Sequence, residues 1–427
     1  MFNSWTLFYI VLFTTIIFSW LFRYKDKKAR IFFLFFAGMY LIYSGIGGAL
    51  DDVDSNYIFY YVIFTSFISI GVFVGLKSKH KNKVPQKDWS LFLDYFINKH
   101  ATYIIILYYI ICISALIYPE NKIMNLISPP RPDVIAMLVE RYQEDGPDTF
   151  TQIINLIRQI LYPFFIFSLY KYRSQILKLS IIVVGTYYIQ YCQNAYLGRG
   201  SMLEAALIIL AFSYFYVPKI RKPLLMSIIV LLPTIIIFFV QYSLTRIGGT
   251  AGNVGFAESF ETLIKQESGY PLHFDDIMDM ETKYRFNFLV WLFTIPLPGF
   301  FRFGIDANFN VLFSEELLHI NRESNGFYIL LPGIVGESVF LMGKYLFWIN
   351  GLFYGWLMGI TYRILARYPQ LFGILVIAAI DFGYVSNRGG LSSGLPFILK
   401  VLVYFYLILL LIKKESNWNR ALSHNKR

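Results

Sequence analysis

The sequence predicts an all-α polytopic membrane protein with about eleven transmembrane helices, and three observations support this prediction. The 427 residues are 56% hydrophobic and only 15% charged, a composition outside the usual range of soluble proteins. Apolar stretches of roughly 17–20 residues recur along the chain, and each is long enough to cross a bilayer. Lysines and arginines concentrate in alternate connecting segments, as the positive-inside rule predicts.

The predicted helices follow the apolar runs in order. They cover residues 5–22, 31–48, 58–76, 101–117, 152–170, 179–195, 202–217, 224–242, 345–362, 371–386 and 394–412. The ninth helix is the least distinct, because residues 329–344 before it are also apolar and could re-enter the membrane. The basic loops place the N-terminus outside and the C-terminus inside. The chain 1–427 is then one integral membrane domain. Its segment 243–344 is predicted to be a partly helical outer loop, and 89–96 to lie along the inner interface.

The composition also argues against several classes of protein. The formal charge of +11 is explained by cytoplasmic loops, so it does not indicate nucleic-acid binding. Cys112 and Cys192 both fall in apolar runs, which is typical of buried thiols rather than of a disulfide or metal framework. The five histidines have no metal-ligand spacing, and we find no P-loop, GxSxG elbow or dinucleotide fingerprint. We therefore predict neither a cofactor nor a bound metal.

A short polar turn between the sixth and seventh predicted helices is the first candidate site. It places Arg199 between Gly198 and Gly200, and glycine lets backbone N–H groups approach a ligand closely. Ser201 and Glu204 have the spacing of a capping box, so a helix is expected to begin there. An arginine beside the N-terminus of a helix favours anion binding.

A second turn of this kind, 387–389, separates the last two predicted helices and contains Arg388. Both turns fall on the predicted outer face, where positive charge is otherwise sparse. Two arginine turns placed alike could hold one phosphate-bearing ligand from two sides. The alternative is that each arginine only solvates its loop.

Three further basic residues stand out. Arg158 lies about six residues inside the fifth helix, roughly 9 Å below its outer boundary, so it either faces a cavity or snorkels to the headgroups. Arg246, just after the eighth helix, is a weaker candidate of the same kind. Lys400 lies in the middle of the last helix, with Asp381 as the nearest partner by depth, and the pair is as readily structural as functional.

The acidic candidates lie in the last third of the chain. Glu337 follows a glycine-rich stretch and could be a general base, or it could cap a helix. Asp275, Asp276 and Asp279 form the densest acidic cluster of the long loop. They could bind a divalent cation, although a solvated acidic loop is the favoured interpretation.

Taken together, these features resemble the Wzy-type polymerases of bacterial surface polysaccharide, the oligosaccharide repeat-unit polymerases. The resemblance covers most of the chain. It is carried by the turns 198–200 and 387–389, by Arg158, and by Pro332–Gly333 with Gly336–Glu337. It implies a multi-pass protein of the bacterial inner membrane whose active face is periplasmic or extracellular.

The resemblance also implies a reaction and partners. Such enzymes transfer a growing glycan from undecaprenyl diphosphate to a hydroxyl of a new lipid-linked repeat unit, within membrane lipid and beside a chain-length regulator and a flippase. By this resemblance Arg158, Arg199, Arg388 and Arg246 would bind the diphosphate. Arg199 and Arg388 would also act catalytically, and Glu337 or an aspartate of the long loop would deprotonate the acceptor.

Other functions fit the same features. A flippase for lipid-linked oligosaccharide has many helices and internal cations, but transporters of this kind usually contain helix repeats, which the sequence does not show. An O-antigen ligase, which moves finished polymer to another lipid, would hold the same diphosphate. A non-catalytic membrane partner in polysaccharide export is the simplest remaining alternative.

Overall fold

The computed structural model describes residues 3–20, 25–53, 55–77, 86–131, 149–246, 261, 264–265, 268–280, 309–321 and 327–424. Within these ranges the regular structure is helical and contains no β-strand. The all-α fold predicted from the sequence is therefore confirmed.

The helices follow one another along the whole described chain. They are α1 Ser4–Ser19, α2 Lys27–Tyr40, α3 Asn56–Lys77, α4 Gln86–Ile117, α5 Thr149–Ser168, α6 Ile176–Asn194, α7 Arg199–Tyr216, α8 Arg221–Arg246, α9 Phe274–Asp279, α10 Phe309–Leu318, α11 Gly333–Ala366, α12 Phe372–Ile380, α13 Leu391–Pro396 and α14 Val403–His424. Three π-helical stretches extend α2, α12 and α13, namely Leu41–Ile46, Asp381–Val385 and Phe397–Leu402. The helical turn Ser386–Gly389 connects the second stretch to α13.

Five helices of the described chain are long and apolar enough to cross a membrane. They are Lys27–Ala49, Asn56–Lys77, Trp89–Ile117, Phe150–Tyr172 and Pro369–Gly389. A sixth possible span is the pair Gly200–Tyr216 and Pro218–Leu231, which is bent by 109°. The bend falls at Val217, whose backbone is not helical (φ −122°, ψ 82°), because a residue before proline disfavours the helical conformation. An α-helical membrane protein is thus supported, whereas eleven spans remain a prediction.

Two predicted helices differ from the observed ones. Residues 89–96, expected along the interface, belong to the continuous helix α4, which begins at Gln86. The ninth helix was expected at 345–362, but α11 begins at Gly333 and continues through a kink at Gly343, where φ is 73°. Glycine adopts this backbone conformation without steric cost. The apolar residues 333–342 before the kink are helical and largely buried, and their re-entry into the membrane stays a prediction.

Helices α3 and α11 make the closest helix–helix contact, and glycines allow it. A Cβ atom added at Gly355 would lie 2.0 Å from the carbonyl oxygen of Ile68, and one at Gly75 would lie 2.4 Å from that of Trp356. Small residues let two backbones approach in this way inside membranes.

Part of the long segment 243–344 packs on the bundle. The α9 residue Phe274 is 1% exposed, and its ring centroid lies 5.1 Å from those of Tyr57 and Tyr60. Nearby, a Cβ atom on Gly47 would lie 1.8 Å from the carbonyl oxygen of Ser268. The short helices expected in this segment are therefore present in its described residues, and they are docked rather than free.

Candidate functional site

A cavity of about 420 Å³ lies between helices α4, α5, α6, α7 and α12. Its walls combine charged, amide and phenol groups. The charged and amide residues that line it are Arg158, Gln159, Gln190, Gln193, Glu204 and Asp381. The tyrosines that line it are Tyr108, Tyr162, Tyr187 and Tyr384. The volume falls in the range of small-molecule sites, about 300–1,000 Å³.

Arg158 lies on the cavity wall, as one of its two sequence interpretations predicted. Its Nη1 donates a hydrogen bond to Oε1 of Gln193 on α6 at 3.3 Å. Among the described residues this is the one hydrogen bond that its guanidinium makes, so several of its five N–H donors remain available to a ligand. The arginine faces the cavity close to the C-terminal end of α6, where Gln193 is the last residue but one.

Glu204 also lines the cavity, and the capping-box prediction for it is wrong. Helix α7 begins at Arg199, its N-cap is Gly198, and no side chain caps it. Glu204 therefore lies inside the second turn, where its carboxylate accepts a hydrogen bond from the hydroxyl of Tyr162 on α5. A cap residue must precede the first turn, and the helix starts too early for Ser201 to do so.

Asp381 adds a second carboxyl group to the cavity. It is 8% exposed, and its Oδ2 is buried with no hydrogen-bond partner among the described residues. It is the first residue of the π-helical stretch Asp381–Val385 that extends α12, and π-helical bulges are frequent at functional sites. The side chain of Lys400 lies outside the described residues, so the predicted pair with Asp381 stays a prediction.

The two arginine turns lie side by side. A Cβ atom added at Gly200 in the first turn would lie 3.2 Å from Cε1 of Tyr384, which is one helical turn before Arg388. Gly200 and Tyr384 both line the cavity. The structure thus brings together, at one place, two segments that the sequence places far apart.

Arg388 itself lies behind the cavity wall. Its Nε donates a hydrogen bond to the hydroxyl of Tyr270 at 2.6 Å, and its Nη1 donates one to the hydroxyl of Tyr384. The guanidinium carbon lies 4.9 Å from the ring centroid of Tyr384 and 5.9 Å from that of Tyr43. Arg388 therefore contacts the cavity lining through Tyr384, and its own side chain is not part of the lining.

For the remaining two predicted arginines, the structure describes only the position of the backbone. Arg199 is the first residue of α7, directly before cavity-lining Gly200. Arg246 is the last residue of α8. Their side chains lie outside the described residues, so their predicted contacts with a diphosphate stay predictions.

Glu337 caps a helix, which confirms the second of its two sequence interpretations. Its side chain is 0% exposed, and its carboxylate accepts hydrogen bonds from the backbone N–H groups of Leu391 and Ser392. These groups are the N-terminus of α13, where a negative charge is favourable. Gly390 is required beside it, because its φ is 78° and an added Cβ would lie 2.2 Å from Cδ of Glu337. With both oxygens engaged and no exposure, Glu337 does not fit a general base.

The acidic cluster lies on the surface of the described bundle. Asp275, Asp276 and Asp279 are all exposed on α9, as the solvated-loop interpretation predicted. Within the described residues no group of three histidine, cysteine or acidic side chains could hold a metal ion. Cys112 and Cys192 are free and buried, which confirms their predicted state.

Comparison with known proteins returns no relative: no family model, no curated protein and no solved structure matches this chain. The function of this chain is therefore inferred from the chemistry of the cavity.

The cavity is suited to a polar ligand with several hydroxyl groups. Amide side chains both donate and accept hydrogen bonds, carboxylates accept them, and tyrosines add an apolar ring to a polar hydroxyl. Glu204 and Tyr162 were not predicted from the sequence to be site residues. The glutamines at 159, 190 and 193 could have indicated a cavity, because they interrupt apolar helices and polar residues inside a membrane usually face a cavity.

Proposed function

We propose that this protein is a membrane glycosyltransferase that joins undecaprenyl-diphosphate-linked oligosaccharide repeat units into a surface polysaccharide such as O-antigen. The proposal is based mainly on one observation. The turns at 198–200 and 387–389, distant in sequence, adjoin a single cavity that also contains Arg158 and two carboxyl groups. A block transfer of glycan needs both of these elements, cations for a diphosphate leaving group and a polar pocket for sugar.

The reaction explains why the cations and the carboxyl groups are close together. A hydroxyl oxygen of the acceptor unit bonds to the anomeric carbon of the donor glycan. The bond from that carbon to the phosphate oxygen breaks, and the electron pair leaves with undecaprenyl diphosphate. Arginines stabilise the departing phosphate through charge-assisted hydrogen bonds, while a carboxylate takes the proton of the attacking hydroxyl.

We also propose a membrane topology and a cellular membrane for this protein. It places about eleven spans in a bacterial inner membrane, with the C-terminus inside and the cavity open to the outer face. The segment 243–344 is then the large outer loop, and its docked residues 268–280 hold Tyr270 against Arg388. A chain-length regulator and a flippase are the expected partners in the membrane.

Deletion of the gene in its host, followed by electrophoresis of the surface glycan, tests the proposal. A polymerase predicts that a long ladder collapses to a single repeat unit. Loss of every repeat unit from the surface would point to a flippase or a ligase, and accumulation of lipid-linked polymer would identify the ligase. An unchanged ladder would refute all of these functions.

A substitution in the first turn tests the role of its arginine. We expect Arg199→Ala to abolish polymer without changing the amount of protein in the membrane, because the diphosphate would lose a bidentate cation. Arg131→Ala, at an exposed arginine that does not line the cavity, is the matched control and should leave the ladder intact. Normal polymer from Arg199→Ala would remove this arginine from the mechanism.

A further inference from the structure

We infer that Glu204 is the proton acceptor of the reaction and that the cavity around it holds the sugar, while the diphosphate stays outside at the arginine turns. The inference rests on the proposed function and adds to it a catalytic residue and a division of the substrate between two subsites.

The way in which Glu204 is held suits a proton acceptor. The hydroxyl of Tyr162 donates a hydrogen bond to its Oε1, and Oε2 makes no hydrogen bond with any described residue. Glu204 is partly exposed and lines the cavity. One oxygen is therefore fixed by the protein, and the other is available to a ligand hydroxyl. A general base needs this combination of fixed orientation and access.

The carboxyl groups of Glu337 and Asp381 are less suited to accept a proton from a ligand. Both oxygens of Glu337 accept backbone hydrogen bonds, and the residue is 0% exposed. Asp381 lines the same cavity, but its Oδ2 is buried. Asp381 therefore offers less access to a ligand hydroxyl than Glu204 does.

The composition of the cavity lining favours a sugar over a diphosphate. Among the side chains that the structure describes, the lining contains one guanidinium, that of Arg158. A diphosphate is best held by several charge-assisted hydrogen bonds, and this lining would leave much of its charge uncompensated. A neutral sugar meets no such penalty, and its hydroxyl groups match the glutamine and tyrosine lining. The arginine turns beside the cavity are left for the diphosphate, and Gly200 of the first turn is part of the cavity lining.

The proton transfer completes the reaction without a further reagent. As the acceptor oxygen bonds to the anomeric carbon, its proton passes to Oε2 of Glu204. The electron pair of the broken bond leaves on the phosphate oxygen. Glu204 then releases its proton to water when the product leaves the cavity.

The test uses the whole protein in lipid nanodiscs and the lipid-linked repeat unit extracted from the deletion strain. We expect Glu204→Gln to bind this lipid as the wild type does but to extend it at least about 100-fold more slowly. Glu120→Gln removes a carboxylate that is 73% exposed and paired with Lys122, and it should leave the rate unchanged. In Glu204→Ala, added formate should restore part of the rate, because a small carboxylate can enter the cavity and replace the base.

Each result decides the inference. Slow extension with intact binding and rescue by formate supports it. A wild-type rate in Glu204→Gln overturns it while the proposed function stands. If the Glu204 variants do not fold, the inference is tested with Tyr162→Phe. Loss of the hydroxyl that anchors Glu204 should lower kcat and leave KM unchanged. An unchanged kcat would overturn the inference. If the wild type itself does not extend the lipid, the proposed function fails and the inference fails with it.

Discussion

Replacement of Glu337 separates a structural role from a catalytic one. In the folded protein its carboxylate accepts the backbone N–H groups of Leu391 and Ser392 in a site that is closed to water. Glu337→Ala leaves both donors without a partner. At about 1–3 kcal/mol for each orphaned buried group, we expect a loss of about 2–6 kcal/mol in the free energy of unfolding. Glu337→Gln keeps one acceptor oxygen, so its loss should be about half as large.

The apparent melting temperature of the detergent-solubilised protein, followed by fluorescence-detected size exclusion, measures this loss. We expect the wild type to have the highest melting temperature, Glu337→Gln a lower one and Glu337→Ala the lowest. Glu120→Ala, the control for an exposed glutamate, should melt at the wild-type temperature. A catalytic base predicts a different pattern, in which Glu337→Gln melts like the wild type but makes no polymer. That pattern would refute the capping assignment and restore the general-base hypothesis.

Two further predictions follow from close contacts. Gly355→Ala should destabilise the protein by about 3 kcal/mol, the upper end of overpacking costs, because its Cβ would lie 2.0 Å from the carbonyl oxygen of Ile68. Gly38→Ala, which has no neighbour within 4 Å, should melt at or slightly above the wild-type temperature. Tyr270→Phe removes the hydrogen bond to Nε of Arg388, worth about 1.5–3 kcal/mol for a charged partner, so it should lower the rate of polymer formation about tenfold or more in the gel assay. An unchanged rate would show that the position of Arg388 does not depend on Tyr270.

The two glutamates show where sequence reasoning failed. Local spacing predicted that Glu204 caps a helix, and a glycine-rich context favoured Glu337 as an exposed base or a cap. In the structure Glu337 is the cap, for a helix whose N–H groups lie 54 and 55 residues further along the chain. Glu204 faces the cavity beside Tyr162, a residue 42 positions earlier. Neither partner lies within the range of a local motif.

The sequence by itself determined the helical character, the position of most helices, and the prediction that Arg158 faces a cavity. It could do so because burial of apolar side chains and backbone hydrogen bonding within each helix depend on consecutive residues. Only the tertiary structure decided which polar groups share the cavity, since its walls come from five helices. The same holds for Arg388, whose position behind Tyr384 depends on a loop residue 118 positions away. Long-range packing sets these distances, and no local pattern encodes them.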